Sequence, residues 1–179
     1  MNKISETRIG LSKRKMALAF IGAAIFVALG IQFVINPEQY ISHVCRNIEF
    51  IKIAGFASLS FFGICLIYIF FKIFDTRPGL IISDIGITDN SHYGSVGLIA
   101  WSKIEGIRIQ QVMSTKFLLI DVSNPKEFIE KSSHLKGLLM KTNLRMYGTP
   151  LSITSNSLNY NFDDLEKLLH EEWNKYKSR

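Results

Sequence analysis

The chain contains few of the residues from which catalytic and metal sites are built. Only two cysteines and four histidines occur among its 179 residues. No two histidines have the i, i+4 spacing of a zinc-binding helix, and no cysteine pair supports them. The sequence also lacks a glycine-rich phosphate loop and the strained turn of a nucleophile elbow. We therefore expect no cofactor, no metal and no catalytic residue, with a hydrolase kept as a remote alternative.

Charge is absent from two long stretches, 16–35 and 53–71. Twenty residues of helix cover about 30 Å, which is the hydrocarbon thickness of a bilayer. Each stretch holds eleven Leu, Ile, Phe or Val residues, and these alone favour insertion by about 3 to 7 kcal/mol. The pattern predicts a transmembrane hairpin with helices at about 16–35 and 53–74, in a first region that ends at residue 77.

Acidic residues are scarce before the first apolar stretch, where Lys13, Arg14 and Lys15 stand together. Cationic flanks stay on the cytoplasmic side, so these three residues set the topology. Both termini are then cytoplasmic, and the short loop at 36–52 lies outside. From residue 78 onward the sequence contains twelve Lys and Arg residues and eleven Asp and Glu residues. This near-neutral balance argues against nucleic-acid binding.

The cysteines and small residues of the hairpin leave two questions open. Cys45 falls in the outside loop and Cys65 in mid-membrane, so the two cannot pair within one hairpin. Cys45 is either a free thiol or an intermolecular bridge. Small residues recur at four-residue spacing within both apolar stretches and let helices approach closely. They are Ala24, Ala28, Ala54 and Ser58. They fit packing within the hairpin or a homodimer interface.

The region 78–179 reads as one α+β domain with strands in succession and one clear helix at its end. Short β-branched runs between Gly, Asn, Asp and Ser predict strands at about 79–83, 86–89, 95–100, 107–112, 116–121 and 151–155. Trp101 starts a single helical turn between two of them. Pro125 at a first helical position predicts a short helix at 125–133. The segment 134–148 is ambiguous between an irregular loop and a further strand.

Two periodic patterns predict which faces are buried. Ile107 and Ile109 alternate with Arg108 and Gln110, which turns one face of that strand to the core. Near the C-terminus, apolar residues at three- and four-residue intervals form one stripe of an amphipathic helix. They are Phe162, Leu165, Leu168, Leu169, Trp173 and Tyr176. Asn161 caps this helix, which must pack against the strands.

Strands followed by one amphipathic helix describe a pleckstrin-homology-like (PH-like) architecture, an antiparallel barrel or sandwich capped by a helix. The residues Pro78-Gly79-Leu80, Gly86-Ile87, Gly97 to Ile107 and Ser123-Asn124-Pro125, behind two membrane helices, resemble a family of bacterial inner-membrane proteins with such a domain. The resemblance implies this fold and a location in the bacterial inner membrane. It brings no catalytic residue.

A basic segment offers the one candidate for membrane-surface contact. Lys136, Lys141 and Arg145 stand among leucines and methionines, a mixture that can lie on an anionic membrane. Alternatively, the segment is a basic loop whose apolar residues fill the core. The loop at 84–85, where PH domains hold phosphoinositides, is Asp-Ile and offers no cation.

These observations favour a non-enzymatic, membrane-anchored PH-like module that binds a protein partner or scaffolds a complex. PH-like domains leave a strand edge that can receive an extended peptide. The expected partners are the lipid bilayer and an unidentified protein, and self-association stays open. The alternative is a small immunity-type membrane protein that binds an attacker.

Overall fold

A computed structural model describes residues 6–42 and 46–178 and divides them into two compact units. Residues 13–75 form the hairpin unit. Residues 6–12 join residues 76–178 in the second, which we call the β unit. The sequence-based division placed everything before residue 78 with the membrane helices, and the structure moves the N-terminal segment to the β unit.

The hairpin unit consists of helices α1 (Lys13–Ile35) and α2 (Ile48–Ile73), with a 3₁₀ turn at Pro37–Tyr40. Both helices are long and apolar enough to cross a membrane, and their most apolar windows are only 11 % and 6 % buried. Core helices of soluble proteins are mostly buried. Helix α2 starts earlier than predicted because the side chain of Asn47 caps it, accepting hydrogen bonds from the Glu49 and Phe50 N–H groups.

The two helices approach closely at a pair of glycines. A Cβ atom at Gly55 would lie 2.9 Å from the carbonyl oxygen of Gly30, so a side chain there would force the backbones apart. Beside this contact Phe26 and Phe62 stack at 4.2 Å, and Ser58 Oγ donates to the Phe26 carbonyl at 2.9 Å. The helices therefore pack within the hairpin, which was one of the two predicted alternatives.

The first sheet of the β unit has four antiparallel strands in chain order. They are β1 (Thr7–Ile9), β2 (Leu80–Ser83), β3 (Gly86–Asp89) and β4 (Gly97–Ala100). Sequence reasoning missed β1, which pairs Thr7 with Ile82 and Ile9 with Leu80. The hairpin unit is thus inserted in the chain between two neighbouring strands of one sheet.

The second sheet has three antiparallel strands. They are β5 (Ile104–Val112), β6 (Thr115–Val122) and β7 (Leu151–Ile153), with β6 in the centre. The predicted turn occurs as a 3₁₀ turn at Trp101–Lys103, just before β5. Over the ranges that the structure describes, the two sheets share no strand pairing. The expected barrel is therefore not closed.

Three helices complete the β unit, namely α3 (Pro125–Glu130), α4 (His134–Tyr147) and α5 (Phe162–Lys177). Helices α3 and α5 were predicted, whereas α4 was expected to be a loop or a strand. This expectation was wrong. Gly148 ends α4 in the left-handed conformation at φ 81°, which favours glycine.

Both sheets and all three of these helices contribute to one core. Its fully buried members include Ile82, Ile87, Leu118, Ile120, Met140 and Ile153. Helix α5 inserts Leu165 and Leu169, both 0 % exposed, and Asn161 caps it by accepting from the Asp163 N–H at 2.8 Å. Ile109 departs from the predicted alternation because it is 48 % exposed.

Candidate interaction surfaces

Strand β5 is the longest strand of the β unit and lies at the edge of its sheet. It has nine residues and, among the strands described, pairs only with β6. The sequence favours a strand here because β-branched residues recur along it, and the two-residue turn of Met113 and Ser114 joins it to β6. Met113 has a positive φ of 53°, which a residue other than glycine rarely adopts. An edge strand presents a row of backbone N–H and C=O groups that another chain can pair with.

The register shows which groups of β5 face outward. The two-residue turn makes Val112 and Thr115 a hydrogen-bonded pair, and such pairs alternate along an antiparallel ladder. The backbone groups of Ile107, Ile109 and Gln111 therefore point away from β6.

The distal half of β5 also carries exposed apolar side chains. Ile109 and Val112 are 48 % and 38 % exposed, and Met113 at the turn is 92 % exposed. The N-terminal half of β5 is buried instead, since Ile104 and Ile107 belong to the core and are each only 7 % exposed. The strand therefore projects an apolar end beyond the core while its base stays fixed.

Helix α4 presents a second surface, on the segment that the sequence indicated but that was expected to be a loop or a strand. At about 100° per residue, five exposed residues fall within an arc of about 100°. They are Leu135, Leu138, Leu139, Thr142 and Met146, and we call them the α4 stripe. The opposite side of the helix buries Gly137 and Met140.

The three predicted membrane-contact cations do not share a face of α4. Lys141 and Arg145 are one turn apart, exposed, and border the α4 stripe. Lys136 is half-buried on the other side, where its ammonium donates to the Ser95 carbonyl at 2.7 Å and lies 5.9 Å from the Tyr93 ring. The structure therefore brings two of the three together and gives Lys136 a place inside the β unit.

The C-terminal end of α4 is fastened to the second sheet by one arginine. Arg108 on β5 donates to both carboxylate oxygens of Asp121 at 2.6 and 2.8 Å and to the Tyr147 carbonyl at 3.0 Å. The hydrogen bond to Asp121 raises the pKa of the Arg108 guanidinium. This bidentate pair fixes the helix relative to β5 and β6.

A cavity of about 220 Å³ lies between β4 and α3. Leu98 and Phe128 line it, and Glu127 sits at its charged side. Hydrogen bonds from Lys103 at 2.5 Å and from Lys131 at 2.7 Å lower the pKa of the Glu127 carboxyl to about 2. These charges are already satisfied, so they favour a structural ion-pair network over a binding group.

A polar cluster in the turn between β3 and β4 has the residue types of a hydrolase but not its geometry. Ser91 Oγ and Ser95 Oγ lie 2.9 and 3.1 Å from Nδ1 of His92, and an Asp89 oxygen lies 3.7 Å from the same nitrogen. A nucleophile–base–acid relay uses both ring nitrogens, one for the hydroxyl and one for the carboxylate. This cluster therefore shapes the turn, where the Ser91 and His92 N–H groups donate to Asp89 and Ser95.

The predicted topology residues lie at the start of α1. Arg14 and Lys15 are exposed. The ammonium of Lys13 donates to the carbonyls of Ile73 and Asp75, so the first and last residues of the hairpin unit are adjacent. The predicted thiol Cys45 lies outside the described residues. Within residues 6–42 and 46–178, no three His, Cys, Asp or Glu side chains are grouped to hold a metal ion.

Comparisons with protein-family models, with curated proteins and with solved structures found no match to this chain.

Proposed function

We propose that this chain is a non-enzymatic, membrane-anchored PH-like module that receives an extended segment of a protein partner along β5. The observation that carries the proposal is the nine-residue edge strand with an apolar, exposed end. Strand addition takes its affinity from main-chain hydrogen bonds and its specificity from alternate side chains. Sheet order, two antiparallel sheets and the packed C-terminal helix support the PH-like assignment.

We further propose that α1 and α2 cross the bacterial inner membrane and leave both termini in the cytoplasm. Their length, their apolar composition and the small buried share of their residues support the spanning arrangement. The cations Lys13, Arg14 and Lys15 at the start of α1 support the orientation. The β unit then serves as a docking platform held at the membrane, where a bound partner is concentrated.

The outward N–H of Ile109 provides the test. Ile109→Pro removes one edge donor and is tolerated where a strand faces solvent, so the fold should persist. Ile109→Thr is the matched control, because it shortens the side chain and keeps both the N–H and the β-branch. A photo-crosslinking residue at Gln111, in the full chain in native membranes, reports occupancy of the edge.

We expect a discrete adduct from position 111 that Ile109→Pro removes and Ile109→Thr largely retains. A crosslinker at Glu171, which is exposed on α5, should not give this adduct. An adduct that Ile109→Pro leaves unchanged, or none from position 111, would refute strand addition. Unchanged tryptophan emission of both purified variants, from Trp101 and Trp173, verifies that the fold is intact.

A further inference from the structure

The α4 stripe is an exposed apolar surface on a short helix. Its four large apolar side chains, at positions 135, 138, 139 and 146, are between 51 % and 63 % exposed. Soluble proteins rarely leave such residues contiguous on one face unless that face meets another surface. The question is which surface covers it.

The charges of α4 indicate which kind of surface covers the α4 stripe. The helix contains Lys136, Lys141 and Arg145 and no acidic residue. Lys141 and Arg145 lie beside the stripe, at one of its long edges, and His134 shares that edge. An apolar face bordered by cations is the pattern of a helix that lies in the interface of an anionic bilayer.

We infer that the α4 stripe docks on the anionic leaflet of the bilayer that α1 and α2 cross. Leu135, Leu138, Leu139 and Met146 enter the boundary between headgroups and acyl chains. Lys141 and Arg145 contact lipid phosphates from the stripe's edge. Lys136 takes no part, because it bonds to Ser95 inside the β unit. This residue set differs from the three cations that the sequence indicated.

Chain connectivity makes this docking accessible. Only residues 10–12 separate β1 from α1, and residues 74–79 separate α2 from β2. Six residues span at most about 20 Å. The β unit is thus held close to any bilayer that α1 and α2 cross. The inference rests on the proposed membrane anchoring and is independent of strand addition to β5.

The test uses the full chain in vesicles of phosphatidylcholine, with or without phosphatidylglycerol. Cys45 and Cys65 are replaced by Ser, and a fluorophore is attached at Leu138→Cys or, as the control site, at Glu171→Cys. Lipids with a spin label in the upper acyl chain quench a fluorophore that enters the interface. Strong quenching is expected at position 138 in the anionic vesicles, weaker quenching without phosphatidylglycerol, and little at position 171.

Charge reversal at the edge of the stripe tests whether anionic lipid is the surface that α4 meets. Two cations near an anionic surface shift the docking equilibrium by about 30-fold, or about 2 kcal/mol. Lys141→Glu with Arg145→Glu should therefore abolish the quenching at position 138. Lys167→Glu with Lys177→Glu, on α5, makes the same change in net charge and should leave the quenching in place. Salt at 1 M shortens the Debye length to about 3 Å and should weaken the signal.

Three outcomes overturn the inference. The fluorophore at position 138 stays unquenched in anionic vesicles, or the α4 and α5 charge reversals have equal effects. Alternatively, energy transfer between labelled copies exceeds the level that random proximity gives at the same protein density, regardless of lipid charge, which assigns the stripe to a second copy. Vesicle flotation is measured alongside. A chain that fails to float refutes the membrane anchoring, whereas one that floats unquenched refutes only the docking of α4.

Discussion

Ile9 provides the sharpest test of how the β unit is assembled, because it belongs to a strand that precedes the hairpin in sequence. Its side chain is 3 % exposed and joins the core with Leu80 and Leu158. Ile9→Ala deletes three carbon atoms. At about 0.8 kcal/mol each the transfer loss is about 2.4 kcal/mol, and an unfilled cavity raises the cost to about 3 to 4 kcal/mol.

The assay needs the β unit without its membrane helices. Residues 6–12 can be joined to 76–178 by about ten Gly and Ser residues, whose root-mean-square span is about 17 Å. Lys13 shows that the ends to be bridged are adjacent, since it reaches the carbonyls of Ile73 and Asp75. Urea unfolding is followed by tryptophan emission, since Trp101 is 2 % exposed and Trp173 packs against the core.

The matched control is Arg8→Ala in the same strand. Arg8 is solvent-exposed and pairs only with the nearby Glu6 carboxylate in the described contacts, so its removal should change stability little. A fragment of 78–179, which lacks β1, should unfold at lower urea than the joined protein. Equal midpoints for the Ile9 and Arg8 variants, or equal stability with and without residues 6–12, would refute the role of β1.

Three further outcomes are expected. Glu127→Gln should lower the free energy of unfolding at neutral pH. Because the folded protein lowers the pKa of Glu127, the ionised carboxylate stabilises the fold above about pH 4.5, and this stabilisation is lost as the pH falls towards 2, so the difference between the variant and the parent should shrink over that range. Urea midpoints across pH measure this difference, and a difference that does not depend on pH contradicts the prediction. Trp101→Phe should cost about 1 to 3 kcal/mol in the joined protein, because its indole N–H donates to the Ser83 carbonyl at 2.8 Å; calorimetry measures the loss, and an unchanged melting temperature would exclude the bond as a stabiliser. A membrane-impermeant maleimide on intact cells stripped of any outer barrier should label Cys45 and spare Cys65, and the reverse pattern would overturn the proposed orientation.

Local patterns predicted the elements whose signals lie within one segment of the chain. The apolar lengths of α1 and α2, the cap and stripe of α5, and the Pro at the start of α3 are of this kind. The strands β2 to β7 also fall where β-branched runs stand between turn residues. Such patterns report how a segment buries its own surface, and this is independent of its distant neighbours.

Helix α4 was not predicted because its apolar residues lie on opposite sides of the helix. Met140 is buried whereas Leu138, Leu139 and Met146 are exposed, so no single stripe marks the core face. The set of residues in the candidate membrane surface changed once the segment was seen to be a helix. Lys141 and Arg145 share a face only once the segment is helical, and Lys136 turns away from them. Sequence spacing alone could not separate these roles.

Composition and periodicity alone identify two segments that are fit to cross a bilayer, and they locate the strands β2 to β7 and the terminal helix of the remainder. They are sufficient for this, because burying apolar surface is the dominant drive in each segment. Only the folded chain reveals that residues 7–9 pair with β2 across the hairpin insertion, and that β5 lies at an edge. A three-residue strand has too little pattern to signal itself, and the pairing of distant strands depends on the whole sheet.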